Sequence, residues 1–196
     1  DRSCFYKTTL AILVLILASC SKPKQDPFLP PAPGLLGFGQ DIPTILKTLE
    51  GAGFILLERT PELVRLRLPE TEENKAQGMT PQVPPYVFTG YFNQNKMAIV
   101  RVVRRESVER IDAFQKAALS LYGLKEIWRG KVDEKEKDGF WMLSEEAAIY
   151  ENADMWARIR RARYQAHEIG PVNHELEIEL FSKRDNPGLT ASQLQP

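Results

Sequence analysis

Apolar and polar residues alternate along several segments of this chain, which is the pattern of a β-strand with one buried face. In the segment VRLRL, Val64, Leu66 and Leu68 alternate with two arginines. In the segment ELEIEL, Leu176 and Ile178 alternate with glutamates. Alternation, together with runs of β-branched and aromatic residues, predicts strands over 54–58, 64–68, 86–92, 97–104, 124–132, 140–145, 147–150 and 175–180.

Two other segments carry apolar residues three or four positions apart, which is the period of an amphipathic helix. The first begins after Asp41, which we expect to cap it, and ends near Gly51. The second begins after Ser107 and ends at Gly123. Each of these helices should cover a sheet face with its apolar side.

A third helix is predicted over 154–167, with Asp154 as its cap. Met155, Ile159 and Ala162 would share one face of this helix.

The order of the predicted elements is helix, strands, helix, strands, which suggests two similar halves without any repeat at the level of residues. The predicted fold class is α+β, a mostly antiparallel sheet with two or three helices packed on one face. We expect a single domain over 41–182, followed by a disordered tail over 183–196.

The beginning of the chain has the order of features found in a secretory signal peptide. Arg2 and Lys7 supply positive charge, and 8–18 is an apolar run. At about 1.5 Å per residue this run is too short to cross a hydrocarbon layer of about 30 Å. The run ends in Leu17-Ala18-Ser19-Cys20, which resembles the lipobox of bacterial lipoproteins.

The resemblance implies that 1–19 is a cleaved signal peptide and that Cys20 carries lipid on its sulfur. Each buried methylene of an acyl chain contributes about 0.8 kcal/mol, so two or three chains make the attachment effectively permanent. The mature protein would then be peripheral, with no transmembrane helix. Ser21, by resemblance to enterobacterial sorting rules, implies the inner leaflet of the outer membrane, facing the periplasm.

Two segments are rich in proline. Residues 20–40 are expected to form a tether in the polyproline II conformation, and we favour packing of its second half on the domain over a partner-binding strip. Residues 69–85 hold few apolar side chains and predict a long loop, either functional or simply disordered.

Charge and cysteine content narrow the functional classes. The chain holds 26 Lys+Arg and 26 Asp+Glu among its 196 residues. This neutral balance gives no electrostatic basis for binding nucleic acid. Cys4 would leave with the signal peptide and Cys20 would carry lipid, so the mature domain must gain its stability from its apolar core.

The sequence contains no complete catalytic motif. Gly51-Ala52-Gly53 lacks the third glycine of a dinucleotide fingerprint, and no serine lies in a G-x-S-x-G elbow. We therefore expect no enzymatic activity and no cofactor. His167 and His174 flank a Gly-Pro turn and are weak candidates for a metal site; two surface histidines are the simpler interpretation.

The clearest candidate for partner docking is a run of arginines at Arg158, Arg160, Arg161 and Arg163. The sequence leaves three interpretations: the side chains are simply solvated, they pair with Glu175, Glu177 and Glu179, or they form a patch for an anionic partner. Tyr86 and Tyr91, in a predicted aromatic strand, are further docking candidates.

The leading functional hypothesis is a membrane-anchored envelope lipoprotein that acts as a non-enzymatic interaction or assembly module. The alternative is a binding module for a small or polymeric envelope ligand.

Overall fold

The structure is a computed structural model that describes residues 38–68, 86–105, 107–137, 140–166 and 172–196. The predicted signal peptide, Cys20, the tether up to residue 37 and the 69–85 segment lie outside the described residues. Within the described part, the structure contains two α-helices, eight strands and one short 3-10 helix. In chain order they are α1 (Ile42–Gly51), β1 (Ile55–Arg59), β2 (Leu63–Leu68), β3 (Tyr86–Asn93), β4 (Lys96–Arg105), α2 (Val108–Tyr122), β5 (Lys125–Lys137), β6 (Phe140–Glu151), β7 (Met155–Ala166), β8 (Val172–Ser182) and a 3-10 helix (Ala191–Leu194).

All eight strands form one antiparallel sheet in the order β1-β2-β3-β4-β8-β7-β6-β5. Each half of the chain is therefore a helix followed by a four-stranded meander. The halves join where β4 pairs with β8, from Ile99 opposite Phe181 to Arg105 opposite Glu175. The α+β class is confirmed, with the sheet as its dominant part.

Both helices pack on the same face of the sheet, where a single apolar core runs through both halves. The stripe of α1 contributes Ile45 and Leu49, and that of α2 contributes Ile111 and Phe114. Both stripes meet the inward-facing residues of the strands, because alternate side chains of a strand project to the same face. Among the most enclosed of these are Val64, Leu66, Phe88, Val102, Leu176 and Ile178.

Local signals at the helix ends agree with the sequence. Asp41 accepts a hydrogen bond from the backbone N–H of Thr44 at 2.9 Å. Hydrogen bonding from the side chain of Thr44, and then from its backbone, lowers the pKa of the Asp41 carboxyl. Gly123 ends α2 in the left-handed conformation with φ 59°, which glycine adopts without strain. Ser107 occupies the N-cap position of α2 without a side-chain capping bond.

The prediction of a helix over 154–167 is wrong, because this segment forms strand β7. Ala157 and Ile159 are buried on the helix-covered face, and Arg158 lies between them on the other face. Apolar residues at 155, 159 and 162 fit a helical period. The segment is nevertheless a strand, because its backbone pairs with β6 on one side and with β8 on the other. Asp154 caps no helix; its N–H binds Asn152 Oδ1 in the turn between β6 and β7.

The second half contains longer strands than predicted. The charged segment DEKEKDG was expected as a loop, but β5 continues through Lys137 and pairs with β6 along its length. The predicted strands 140–145 and 147–150 are one continuous strand, β6.

The 183–196 segment, expected to be a disordered tail, lies against the sheet on the face opposite the helices. Leu194 in the 3-10 helix is only 3% exposed and packs with Ile149 and Phe181. At the other end of the domain, Phe38 packs against the main core and Gly39 donates to the carbonyl of Met97 at 2.9 Å. These last residues of the predicted tether therefore pack on the domain, which is the alternative that the sequence analysis favoured over a partner-binding strip.

Candidate interaction face

The face of the sheet opposite the helices is here called the open face. Strand alternation places Arg65 and Arg67 of β2, Arg101 and Arg105 of β4, Arg158 and Arg160 of β7 and the glutamates of β8 on this face, because their neighbours in each strand point to the helix-covered side. The open face has two parts, one charged and one apolar.

The charged part is an arginine–glutamate lattice that crosses four neighbouring strands. It consists of Arg101 and Arg105 on β4, Glu175, Glu177 and Glu179 on β8, Arg158 and Arg160 on β7, and Glu145 on β6. The acidic strand β8 lies between two basic strands, so each glutamate has an arginine within reach.

The ion pairs of the lattice are short and shared. Arg101 Nη2 lies 2.6 Å from Glu177 Oε2, and Arg160 Nη1 lies 3.5 Å from the other oxygen of the same carboxylate. Arg158 Nε donates to Glu179 at 2.6 Å.

Two further pairs extend the lattice to its edges. Arg160 donates to Glu145 at 2.6 Å, and Arg105 Nη2 lies 2.5 Å from Glu175 Oε2. The lattice therefore links β4, β8, β7 and β6 through side chains as well as through backbone pairing.

The lattice is layered. The side chains of Glu177, Glu179, Glu175 and Glu145 are between 6% and 15% exposed, whereas those of the four arginines are between 26% and 35% exposed. The long arginine side chains lie over the glutamates and keep part of each guanidinium in contact with solvent. The arginines on the solvent side thus balance the negative charge of the carboxylates beneath them. The surface that a partner would meet is made of guanidinium groups.

Two pKa shifts reflect this arrangement. The pKa of Arg101 is raised, chiefly by its hydrogen bond to Glu177, against the opposing effect of burial. Burial raises the pKa of the neighbouring Tyr164 phenol, and the charge of Glu175 raises it further. Arg101 therefore stays ionised throughout the physiological pH range.

The apolar part of the open face is here called the aromatic patch and consists of Ile99, Trp128, Ile149, Trp156 and Phe181. The indole ring of Trp128 lies over Gly130, where an added Cβ would be 2.6 Å from Cζ2. A glycine is therefore required at this position for the ring to lie flat on the sheet.

Residues 187–196, here called the strap, cover the aromatic patch. Leu189, Ala191 and Leu194 pack on it. The chain reaches the patch through a turn that is firmly held: Lys183 Nζ lies 3.9 Å from the centroid of the Trp156 ring, and Asn186 Nδ2 donates to Ala98 O at 3.2 Å.

The predicted run of docking arginines is divided between the two faces, because the segment is a strand and not a helix. Arg158 and Arg160 belong to the lattice, where they pair with the acidic residues of β8 as one interpretation of the sequence anticipated. Arg161 lies on the helix side and pairs with Asp112 of α2. Arg163 is exposed, beside His174.

The two predicted docking tyrosines also separate. Tyr86 is only 3% exposed and packs edge-on against Phe54 and Phe114 in the core, so it is unavailable to a partner. Tyr91 is half-buried and hydrogen-bonds Arg101 of the lattice. Only Tyr91 therefore remains as a candidate.

The histidine pair cannot be assembled from the described residues, since His167 lies outside them. His174 lies near Arg161 and Arg163, and Glu109 and Asp112 of α2 are also close enough for their charges to act on it. No group of three or more His, Cys, Asp or Glu side chains with metal-binding geometry occurs among the residues that the structure describes.

The edge strand β1 presents an exposed apolar feature. Its five residues are all exposed, and Ile55 and Leu57 are 45% and 48% exposed. A bulge near Leu57 interrupts the pairing of β1 with β2.

Sequence reasoning anticipated the pairing partners of Arg158 and Arg160 but missed Arg101, Arg105 and Glu145. The alternation of β4 and β6 held the signal that these side chains share a face, but only the strand order shows which strands are neighbours.

The fold and this face define the class as an α+β protein with one helix-covered and one open sheet face. No family model matches the chain, and comparison with curated proteins and with solved structures finds no similar protein. Among the described residues, neither helix has the length and hydrophobicity needed to span a bilayer.

Proposed function

We propose that this chain is a non-enzymatic interaction module of a bacterial cell envelope, anchored by lipid at Cys20 to the inner leaflet of the outer membrane. The anchor is proposed from the lipobox resemblance. Docking on another envelope protein through the open face is proposed from the exposed guanidinium layer of the lattice.

The guanidinium layer supports docking because its arginines are already ordered. A free surface arginine loses about 0.5–1.5 kcal/mol of side-chain entropy when an interface immobilises it. Arg101 and Arg160 have already lost that freedom to Glu177, yet each keeps about a third of its side chain exposed. Arginine is also enriched at protein interfaces, where its fork donates several hydrogen bonds at once.

The proposal is tested by crosslinking in intact cells that produce the full chain. A photo-reactive residue at position 67, exposed on the open face of β2, should capture a protein neighbour. The same residue at position 116, exposed on the outer side of α2, is the matched control and should capture much less. Equal capture from both positions, or none above background, would contradict docking through the open face.

The contribution of charge is tested with Arg67→Glu and Lys116→Glu, which make the same change on opposite sides of the molecule. Neither residue belongs to the lattice, so both variants should fold. A surface charge reversal at an interface changes association several-fold. We expect Arg67→Glu alone to reduce recovery of the partner.

The anchor is tested separately with Cys20→Ala. Mass spectrometry of the membrane fraction should find diacylglycerol on Cys20 in the parent chain, and the variant should leave that fraction. An unmodified, uncleaved chain in the cytosol would overturn the anchored part of the proposal.

A further inference from the structure

The strap covers the aromatic patch in a way that resembles a bound peptide. Its contacts with the patch come from Leu189, Ala191 and Leu194, and its ten residues, PGLTASQLQP, contain no charged side chain. The patch beneath it is apolar and includes two indole rings, so the occupant and the surface match in chemistry.

The hydrogen bonds of the strap are local. Within the described residues, Leu189 N–H binds Asn186 O at 3.1 Å, and Gln193 N–H binds Thr190 O at 3.1 Å. The Thr190 N–H in turn binds the side chain of Gln193 at 2.8 Å. The bonds within residues 190–193 remain intact if the strap lifts from the sheet as a unit, whereas the bond from Leu189 to Asn186 spans Gly188 and breaks. Its release is therefore opposed by the apolar contacts and by this one bond of the turn.

A hinge lies at the start of the strap. Residues 183–186 are fixed by the contacts of Lys183 and by the bond from Asn186 to Ala98 O. Gly188 follows directly, with no neighbouring atom within 4 Å of the position that a Cβ would occupy. The chain can therefore rotate at this point without disturbing the sheet.

We propose that the strap is an internal occupant of a peptide-binding site, and that the aromatic patch accepts a short, uncharged, leucine-bearing segment of a partner protein in its place. The partner segment makes the contacts of Leu189 and Leu194 and displaces the strap. This site goes beyond the proposed docking through the lattice, because it lies at the other end of the open face and needs neither lipid anchor nor arginine.

Displacement must overcome the local advantage of a tethered occupant. A segment joined by a short flexible link has an effective concentration in the millimolar range. A free peptide of the same sequence should therefore compete poorly with the strap of the parent chain and well with a weakened strap.

The test uses the full chain and a synthetic peptide, PGLTASQLQP, as the probe. Leu194→Ser removes the most buried contact of the strap, and Gln195→Ala is the matched control at an exposed neighbour. Tryptophan fluorescence should report binding of the peptide to Leu194→Ser at least about tenfold more tightly than to the parent or to Gln195→Ala. A peptide in which serine replaces the second leucine should bind much more weakly.

Three outcomes would overturn the proposal. The first is no binding of the peptide to Leu194→Ser at concentrations of about 1 mM, the effective concentration of the strap. The second is equal binding to all three proteins. The third is binding of Leu194→Ser to phospholipid vesicles in preference to the peptide, which would assign the patch to a membrane surface.

Hydrogen exchange on the unaltered chain gives an independent measurement that needs no variant. The amides of Leu189, Gln193 and Gln195 should exchange faster than those of Ile178 and Leu180 in the middle of β8. Equal protection of the two groups would mean that the strap opens only when the sheet unfolds, and the proposal would fail.

Discussion

Glu177 is the most enclosed carboxylate of the lattice, with 6% of its side chain exposed between Arg101 and Arg160. Removing this carboxylate takes the shared acceptor from two partly buried guanidinium groups, of which Arg160 keeps its bond to Glu145 and Arg101 keeps the more distant Glu179. Loss of a buried charged partner costs more than the pair itself contributes. At the scale of a single residue, the stability that each charged side chain contributes therefore depends on its partners in the lattice.

We expect Glu177→Ala to reduce the free energy of unfolding by about 2 kcal/mol or more, because two guanidinium groups lose their shared acceptor. Denaturant unfolding measures this change. Glu50→Ala, on the exposed side of α1, is the control and should change stability by less than about 0.5 kcal/mol. A similarly small effect at Glu177 would mean that solvent screens the lattice.

The pKa of His174 lies below its usual value of 6.5. Burial is the main cause, followed by the charges of Arg163 and Arg161, against the opposite effect of Glu109 and Asp112. The unfolded chain thus binds this proton more readily than the folded one, so stability falls as pH drops through 6.5 towards the lower pKa of the folded state.

His174→Gln removes this titration. Between about pH 7.5 and about pH 5, spanning the reference value for histidine, the variant should lose less stability than the parent. Denaturant midpoints measured across that interval give the comparison. Parallel curves for the two proteins would show that His174 titrates alike in both states.

Strands and helices differ in how much of them the sequence determines. The helix α2 could be predicted from its own residues, because its apolar side chains have helical spacing and Gly123 ends it. The residues of β7 fit the period of a helix as well as that of a strand. This segment becomes a strand because it pairs with β6 and β8, which lie beside it only in the folded sheet. The lattice was only partly predictable for the same reason, since the pairing of β4 with β8 joins residues that are seventy or more positions apart.

The strand β1 has another distinctive property: it is an apolar edge. Exposed edge strands can pair with other chains, and a bulge only partly prevents this. Leu57→Lys should leave stability within about 0.5 kcal/mol, because Leu57 is nearly half exposed, and should slow aggregation several-fold.

Light scattering of concentrated samples measures this aggregation. Leu121→Lys introduces the same change at a comparably exposed leucine of α2. If aggregation proceeds through the edge of the sheet, this control should aggregate at the parent rate. An equal benefit from both variants would point to general solubility instead.

At the scale of the whole molecule, the two halves share one sheet and one core. The continuous packing across β4 and β8 predicts that they unfold together, although each half has its own helix and meander. The tryptophans at 128, 141 and 156 all lie in the second half, so they report on that half alone.

Val102→Ala, in the first half, should therefore shift the tryptophan transition of the second half by about 2 kcal/mol. The transition followed by far-UV circular dichroism should shift equally. Lys47→Ala, exposed on α1, should move neither. Two separate transitions, with only the circular dichroism signal responding, would show that the halves are independent.

The first described residues of the chain and the turn that precedes the strap meet beside the first residues of β4. Met97 exchanges backbone hydrogen bonds with Gly39 and Gln40, and the next residue accepts a bond from Asn186. A mechanical force applied through the segment before Phe38 would act first on these contacts and would break the two backbone hydrogen bonds of Met97 one after the other. Under tension, the bonds of Met97 with Gly39 and Gln40 would thus break before the strands of the sheet separate.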